Sequence, residues 1–323
     1  MLKRWLGLAQ PALVGLSLVL IVWLLGAQWA ELRTHSWRLH GGWLALSAGL
    51  MVMAWVCEVS LWRSLLRLVE GYLSFVTAWR IWFYTALVRY VPGNVWQPLS
   101  MTLYCQQRGI RPEATLMSVA LYQLLTLLSA APLAAGYWLV AGQRAVLTRF
   151  VAGLTPWLVV LVLSPVVVAL LRPGWLIAML NWVLGKFGRP TLAMQLPASR
   201  LALGLLLGAA SWLFWGGSFA ALTFSLAPYS PSDWIQLTPV LVTTFAVGYA
   251  IGLLSVITPS GLGVREGAFY LLLVPLMEGS AVAVAGPGAG LWVVSGGGGV
   301  AGGGALFPRP QPNKPPRGGR RPR

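Results

Sequence analysis

Two short strings carry the residue types that could do chemistry. The first is RYVPGNVWQP at 89–98, where Arg89, Tyr90, Asn94, Trp96 and Gln97 gather around the Pro92-Gly93 break. The second is ITPSGLGVREG at 257–267, where Thr258, Ser260, Arg265 and Glu266 surround Pro259, Gly261 and Gly263. Both lie within long apolar stretches. Proline and glycine there free backbone N–H and C=O groups that hydrocarbon cannot satisfy, so irregular backbone at membrane depth persists only where protein or water covers it. Freed N–H groups at a helix start favour an anion, and the planar guanidinium fork suits phosphate. Together the strings predict a polar site in which Arg89 and Arg265 hold an anionic group while Asn94, Gln97 and Ser260 hydrogen-bond the rest. Glu266 would pair with Arg265 or with a cationic part of the ligand. The plainer reading is a pair of cytoplasmic loops with Pro-Gly turns, in which an exposed Arg-Glu pair contributes little.

The elements that must position these strings are set by composition. Of 323 residues, 57% are hydrophobic and only 9% charged, against about a quarter charged in soluble domains. The chain therefore reads as an all-α, polytopic membrane bundle of about 6–8 membrane segments, because only helices and closed barrels satisfy their backbone in lipid. The predicted spans are 11–30, 42–62, 115–140, 151–171, 201–226 and 234–257. Shorter or interrupted apolar stretches lie at 72–90, 95–104, 175–187 and 267–285, the last within a second broken segment, 258–285. The first span follows Lys3-Arg4 and is nearer the length of a spanning helix than of a signal peptide, so it reads as uncleaved.

The Lys/Arg bias of short loops sets orientation. Lys3 and Arg4 place the N-terminus in the cytoplasm, as Arg63 and Arg67 place the end of span 42–62. Arg172, Lys186, Arg189 and Arg200 put 172–200 on the same side, with its piece 175–187 along the interface. The loop 227–233 has no basic residue and holds Asp233, so it faces outward. Counting back from residue 172 makes 104–114 cytoplasmic as well, with Arg108 and Arg111. Segment 72–103 must then leave and return on one side, a re-entrant hairpin with its apex near Pro92-Gly93. Arg80 and Arg89 also make 72–90 a poor lipid-facing span, whereas Arg144 and Arg149 on the external loop 141–150 count against the scheme.

The net charge of +16 does not point to nucleic acid, since six basic residues fall in the last fifteen positions and most others flank apolar segments, where they meet anionic headgroups. Residues 286–323, rich in glycine, proline and arginine, predict a disordered tail that cannot bury a core. That composition is also what a frame shift near the end of a GC-rich gene would yield. Cys57 and Cys105 read as buried free thiols. His35 and His40, with Glu31 alone nearby, fall short of a metal site, and no cofactor motif appears. GLG at 261–263 follows no strand and is not a dinucleotide fingerprint. Trp29, Trp37, Trp43, Trp62, Trp157, Trp175 and Trp234, near span ends, read as interface anchors. Glu58, inside an apolar span, is either a functional carboxylate or a snorkelling partner of Arg63. Asp233 reads as a cap-region charge for the helix starting near Trp234.

RYVPGNVWQPLSMTLYCQQRGIRPEATLMSVALYQLLTLL resembles the first signature of the lysylphosphatidylglycerol synthase transmembrane, or flippase-like, family, which typically reads Y-x-P-G-x-x-W. ITPSGLGVREGAF resembles its second, near P-x-G-x-G-x-x-E. The first falls on Tyr90, Pro92, Gly93 and Trp96, and the second on Pro259, Gly261, Gly263 and Glu266. Many members carry an acidic and a basic residue where this chain has LYQLL at 121–125, leaving Gln123 as a stand-in, and members continue with further spans where this chain turns to glycine and proline. The resemblance implies a multi-pass protein of a bacterial-type plasma membrane and a translocated anionic lipid, either an aminoacylated phosphatidylglycerol or a polyprenyl-phosphate-linked sugar. The alternatives are a membrane-embedded transferase using a lipid-linked donor, with Glu266 or Glu58 as base, and a non-catalytic membrane partner of a separately encoded soluble enzyme. The family's soluble aminoacyl-transfer domain has no counterpart in the chain, which favours transport over catalysis.

Overall fold

Apolar runs with no water to bond their backbone must close every N–H and C=O on themselves. In this computed structural model, which describes residues 39–86, 96–141, 155–186, 196–226, 228–255, 261, 263–274 and 276–277, they do so as helices, and no strand occurs among the described residues. In chain order these are α1 (Gly41–Leu68), α2 (Phe75–Ala86), α3 (Trp96–Gln106), α4 (Pro112–Ala141), α5 (Thr155–Leu171), α6 (Gly174–Lys186), α7 (Ala198–Leu226), α8 (Pro231–Leu254) and α9 (Val264–Leu273). Four of them, α1, α4, α7 and α8, are long and apolar enough to cross a membrane, and α5 with α6 makes a fifth if that pair, bent by 104°, counts as one span. The polytopic helical bundle expected from composition is thus the observed fold. The expected span 11–30 and the tail 286–323 lie outside the described residues.

α2 and α3 have 12 and 11 residues. At 1.5 Å per residue each is under about 20 Å long, short of the ~30 Å hydrocarbon core. They touch each other, with Tyr84 stacked on Tyr104 at 6.2 Å. The bend between α5 and α6 falls at Arg172-Pro173-Gly174. α6 beyond it carries Lys186 Nζ 3.8 Å over the ring of the exposed Trp182, an arrangement suited to a membrane interface.

The core is built by α1, α4, α7 and α8, with the α1–α7 contact the most extensive. Without a hydrophobic drive between helices in lipid, small residues and interhelical hydrogen bonds hold such bundles. Ser47 Oγ donates to the Ser218 carbonyl at 2.7 Å and Ser218 Oγ donates to the Ser47 carbonyl at 2.8 Å, joining α1 and α7 reciprocally. Trp212 Nε1 donates to the Thr126 carbonyl at 2.9 Å, joining α7 and α4. Trp62 corrects the expectation of an interface anchor. It is 0% exposed and its indole donates to Ser118 Oγ at 3.1 Å, so it is an α1–α4 core contact. Trp157 and Trp175 are exposed, as anchors would be, whereas Trp43 and Trp234 pack edge-on at 5.0 Å. Trp29 and Trp37 lie outside the described residues.

The two ends of the bundle differ in charge. At one end His40 N–H donates to the Ser225 carbonyl, and Ser230 and Asp233 cap α8. Asp233 Oδ2 accepts from Ser230 N–H at 2.8 Å and from Ser230 Oγ at 2.7 Å, which realises the expected cap. At the other end the turn after α1 meets the turn before α4, where Arg111 Nη2 lies 3.1 Å from Glu70 Oε2. Such an exposed pair adds little stability, but it fixes Arg63, Arg67, Arg108 and Arg111 at a common end. Cys57 and Cys105 are buried free thiols.

Candidate functional site

The described part of the second broken string, Gly261 and residues 263–267, lies at the junction between α8 and α9. Gly261 and Gly263 have φ of +70° and +82°, a region open to glycine at little cost. Around Gly261 the chain also runs against the end of α8, where an added Cβ would lie 2.5 Å from the Gly252 carbonyl oxygen. Gly248 and Gly252, four residues apart on α8, make the complementary shallow face. Cβ atoms there would meet the Phe269 ring and the Arg265 Cβ. This is the close approach that small residues permit between membrane helices.

Gly263 is the cap residue that precedes α9. Glu266 Oε2 accepts the Gly263 N–H at 2.7 Å, covering one of the donors a helix start leaves open. Its other oxygen, Oε1, accepts from Arg265 Nε at 3.0 Å and Nη2 at 2.6 Å. Both side chains are about 95% buried. The exposed Arg-Glu pair of the plainer reading is therefore replaced by a buried, hydrogen-bonded one, which tolerates loss of a partner poorly. The Arg265 guanidinium also lies 5.7 Å from the Tyr249 ring, within reach of a cation–π contact.

In front of Arg265 opens a cavity of about 700 Å³, a size that suits a ligand pocket. Its walls come from α1, α2, α3, α4, α6 and α8 together with Gly261 and Arg265. The contributing stretches are the C-terminal part of α1, the N-terminal half of α4 and the end of α8, so the cavity sits toward the basic end of the bundle. Gln97 from the first string and Gly261 and Arg265 from the second line the same cavity. Trp96 sits beside Gln97 at the start of α3 and is 42% exposed. Arg89, Tyr90, Pro92, Gly93, Asn94, Thr258, Pro259 and Ser260 lie outside the described residues.

Glu58 lines the cavity and accepts from Trp215 Nε1 at 2.9 Å. Arg63 turns elsewhere, donating Nε to the Leu73 carbonyl at 2.9 Å, so the snorkelling alternative gives way to a carboxylate facing the cavity. Gln123 lines it too. Tyr249, Tyr122 and Trp82, unnoticed in the sequence, form an aromatic part of the wall. Tyr249 could have been found from its place between Gly248 and Gly252, one turn before the break. Thr126 Oγ1 and Ser255 Oγ, on residues that line the cavity, are buried and find no hydrogen-bond partner among the described residues. Such groups are costly unless something bonds them. Among the described residues no three His, Cys, Asp or Glu side chains are grouped to hold a metal.

A guanidinium, two side-chain amides, two unbonded hydroxyls and an aromatic wall can hold a phosphate-bearing headgroup in a largely apolar pocket. The family described as lysylphosphatidylglycerol synthase TM region matches residues 8–295. No curated protein and no solved structure matches the chain.

Proposed function

The chain belongs to the lysylphosphatidylglycerol synthase transmembrane-region family, and from that membership we propose that it binds an anionic lipid and translocates its headgroup through this cavity. The observation that carries the proposal is the shared cavity lined by Gln97 from one broken string and Arg265 from the other. Arg265 holds the phosphate, and Gln97, Gln123, Ser255 and Thr126 bond the remainder of the headgroup. Arg89, Tyr90, Asn94, Trp96, Thr258 and Ser260 extend the site from the two breaks. Glu266 keeps Arg265 in place. The headgroup belongs to an aminoacylated phosphatidylglycerol or a polyprenyl-phosphate-linked sugar.

The re-entrant course of 72–103 draws support from the Arg111–Glu70 contact, which brings the turns before and after it to one end of the bundle. The positive-inside rule supports assigning that end, and the N-terminus with Lys3 and Arg4, to the cytoplasm of a bacterial-type cell. Binding alone moves nothing. The breaks must give two states that hold the lipid unequally. A separately encoded soluble enzyme is the partner that would supply or consume the lipid. Group transfer within the membrane is the second reading, and Glu58, facing the cavity, is its base. Glu266 suits that role less, because both its oxygens already accept hydrogen bonds.

The test is translocation of a fluorescent anionic phospholipid by the purified protein in proteoliposomes. Gln97→Leu and the paired Arg265→Met, Glu266→Gln variant should each slow it at least about tenfold, the equivalent of about 1.4 kcal/mol. Unchanged rates in both would remove the proposal, and product formation from a lipid-linked donor would favour the second reading.

A further inference from the structure

We propose that the apolar part of the cavity is a second subsite. It takes a hydrocarbon chain of the lipid whose headgroup Arg265 holds, and admits it sideways from the bilayer leaflet at the basic end. The inference rests on the reading of the cavity as an anionic-lipid site. Leu116, Val119, Ala120, Gln123, Leu124 and Leu127 line the cavity from α4. That alternation of three-residue and one-residue steps puts them on one face of the helix. At 1.5 Å per residue the face runs for about 17 Å from 116 to 127. A chain in one leaflet crosses half of the ~30 Å hydrocarbon core, a similar length. Gln123 is the polar member of this face, and the rest is hydrocarbon.

Further walls of the trough come from Met179 and Leu180 of α6 and from Leu253 and Leu254 of α8. α6 follows the 104° bend, and its most extensive contact among the described helices is with α5. Beyond the cavity wall, its exposed Trp182 carries Lys186 over its ring. Tryptophan and lysine together favour headgroup level, so α6 sets this wall beside the leaflet at the basic end. Two lining residues break the surface of the bundle, Leu116 at 42% exposed and Leu254 at 62%. The lining is therefore continuous from Arg265 to an apolar rim open to lipid.

Continuity of this kind is what a lipid needs. Drawing a whole lipid into the cavity from water would strip its chains from the bilayer on the way. A sideways route avoids that, because lipid tails and a leucine-lined trough are equally apolar. For the same reason the trough adds little affinity. It gives the chain a place while the headgroup lies at Arg265, and a soluble headgroup gains nothing from it.

The experiment uses the purified full-length chain in phosphatidylcholine vesicles. They contain a small fraction of phosphatidylglycerol with a photoreactive diazirine partway along one acyl chain. After irradiation, peptide mass spectrometry should find adducts within 116–127 and on Met179 and Leu180. These should fall at least about tenfold when saturating unlabelled phosphatidylglycerol replaces the host lipid. Adducts on the exposed Leu161 and Leu171 of α5, which report lipid held without preference, should not change. Leu116→Trp, filling the rim from an exposed position, should remove the trough adducts alone. Glycerophosphoglycerol, the same headgroup without chains, should bind Leu116→Trp and wild type alike. Trough adducts that resist competition overturn the inference, as does their absence because a segment of this chain or a protein partner fills the trough. Loss of glycerophosphoglycerol binding in Leu116→Trp overturns it too. In each case the headgroup site stands if Gln97→Leu still loses bound phosphatidylglycerol. Lipid retention with no preference for anionic headgroups overturns both.

Discussion

A methyl group added to Gly261 would lie within 2.6 Å of the Gly252 Cα and carbonyl carbon, on a backbone already at φ +70°. Gly261→Ala should therefore destabilise the protein by about 1–3 kcal/mol from the backbone conformation alone. The clash with Gly252 adds to this, and thermal unfolding in detergent would show it as a lowered Tm. Gly267→Ala is the control. Nothing lies within 4 Å of its Cβ position, so its Tm should stay near wild type. At this scale the sequence disclosed part of the site. The spacing of Gly263 and Glu266 is that of a helix start and its third residue, and the structure uses it so. The direction in which Glu58 faces was not legible, because a carboxylate near a helix end can reach Arg63 or turn inward, and only the position of α7 with Trp215 decides. Tyr249 was missed for a related reason. An aromatic in an apolar span looks the same whether it faces lipid, core or cavity.

Helices are where length and hydropathy spoke most clearly. The runs 42–62, 115–140 and 201–226 each fall within one long helix, 234–254 of the run 234–257 lies within another, and the described parts of the interrupted runs form the short α2, α3, α6 and α9. What hydropathy cannot carry is partner choice. The Ser47–Ser218 exchange and the Gly248–Gly252 face are single small residues in apolar text, and they gain meaning only once the facing helix is known. Ser47→Ala should cost about 0.5–1.5 kcal/mol, since it leaves Ser218 Oγ its carbonyl acceptor but removes one donor. Ser218→Ala should cost as much. The double variant should cost less than the sum, because the two hydroxyls lie 3.0 Å apart and share one network. A strictly additive pair would mean that the reciprocal bonds do not couple α1 to α7.

Among the described residues the charge is polarised along the bundle, with arginines at the end where the turns after α1 and before α4 meet, and Asp233 at the other. The loop-charge reading assigns the first of these ends to the cytoplasm, since positive loop charge reports side rather than depth. Cysteine labelling in right-side-out vesicles gives the check, with Cys57 and Cys105 buried and contributing little background. Cysteines placed at Glu70 and Arg111 should be protected from an impermeant thiol reagent, and one at Ser232 should react. Labelling of all three from one face would break the scheme.

The central claim is that the two broken segments build one site for an anionic headgroup, and native mass spectrometry of the lipids retained by the purified chain tests it most directly. One anionic lipid class should remain bound well above its share of the membrane. Gln97→Leu and the paired Arg265→Met, Glu266→Gln variant should each reduce that retention at least about tenfold. Retained lipids that simply mirror the membrane, or an anionic lipid held equally by both variants, would contradict it.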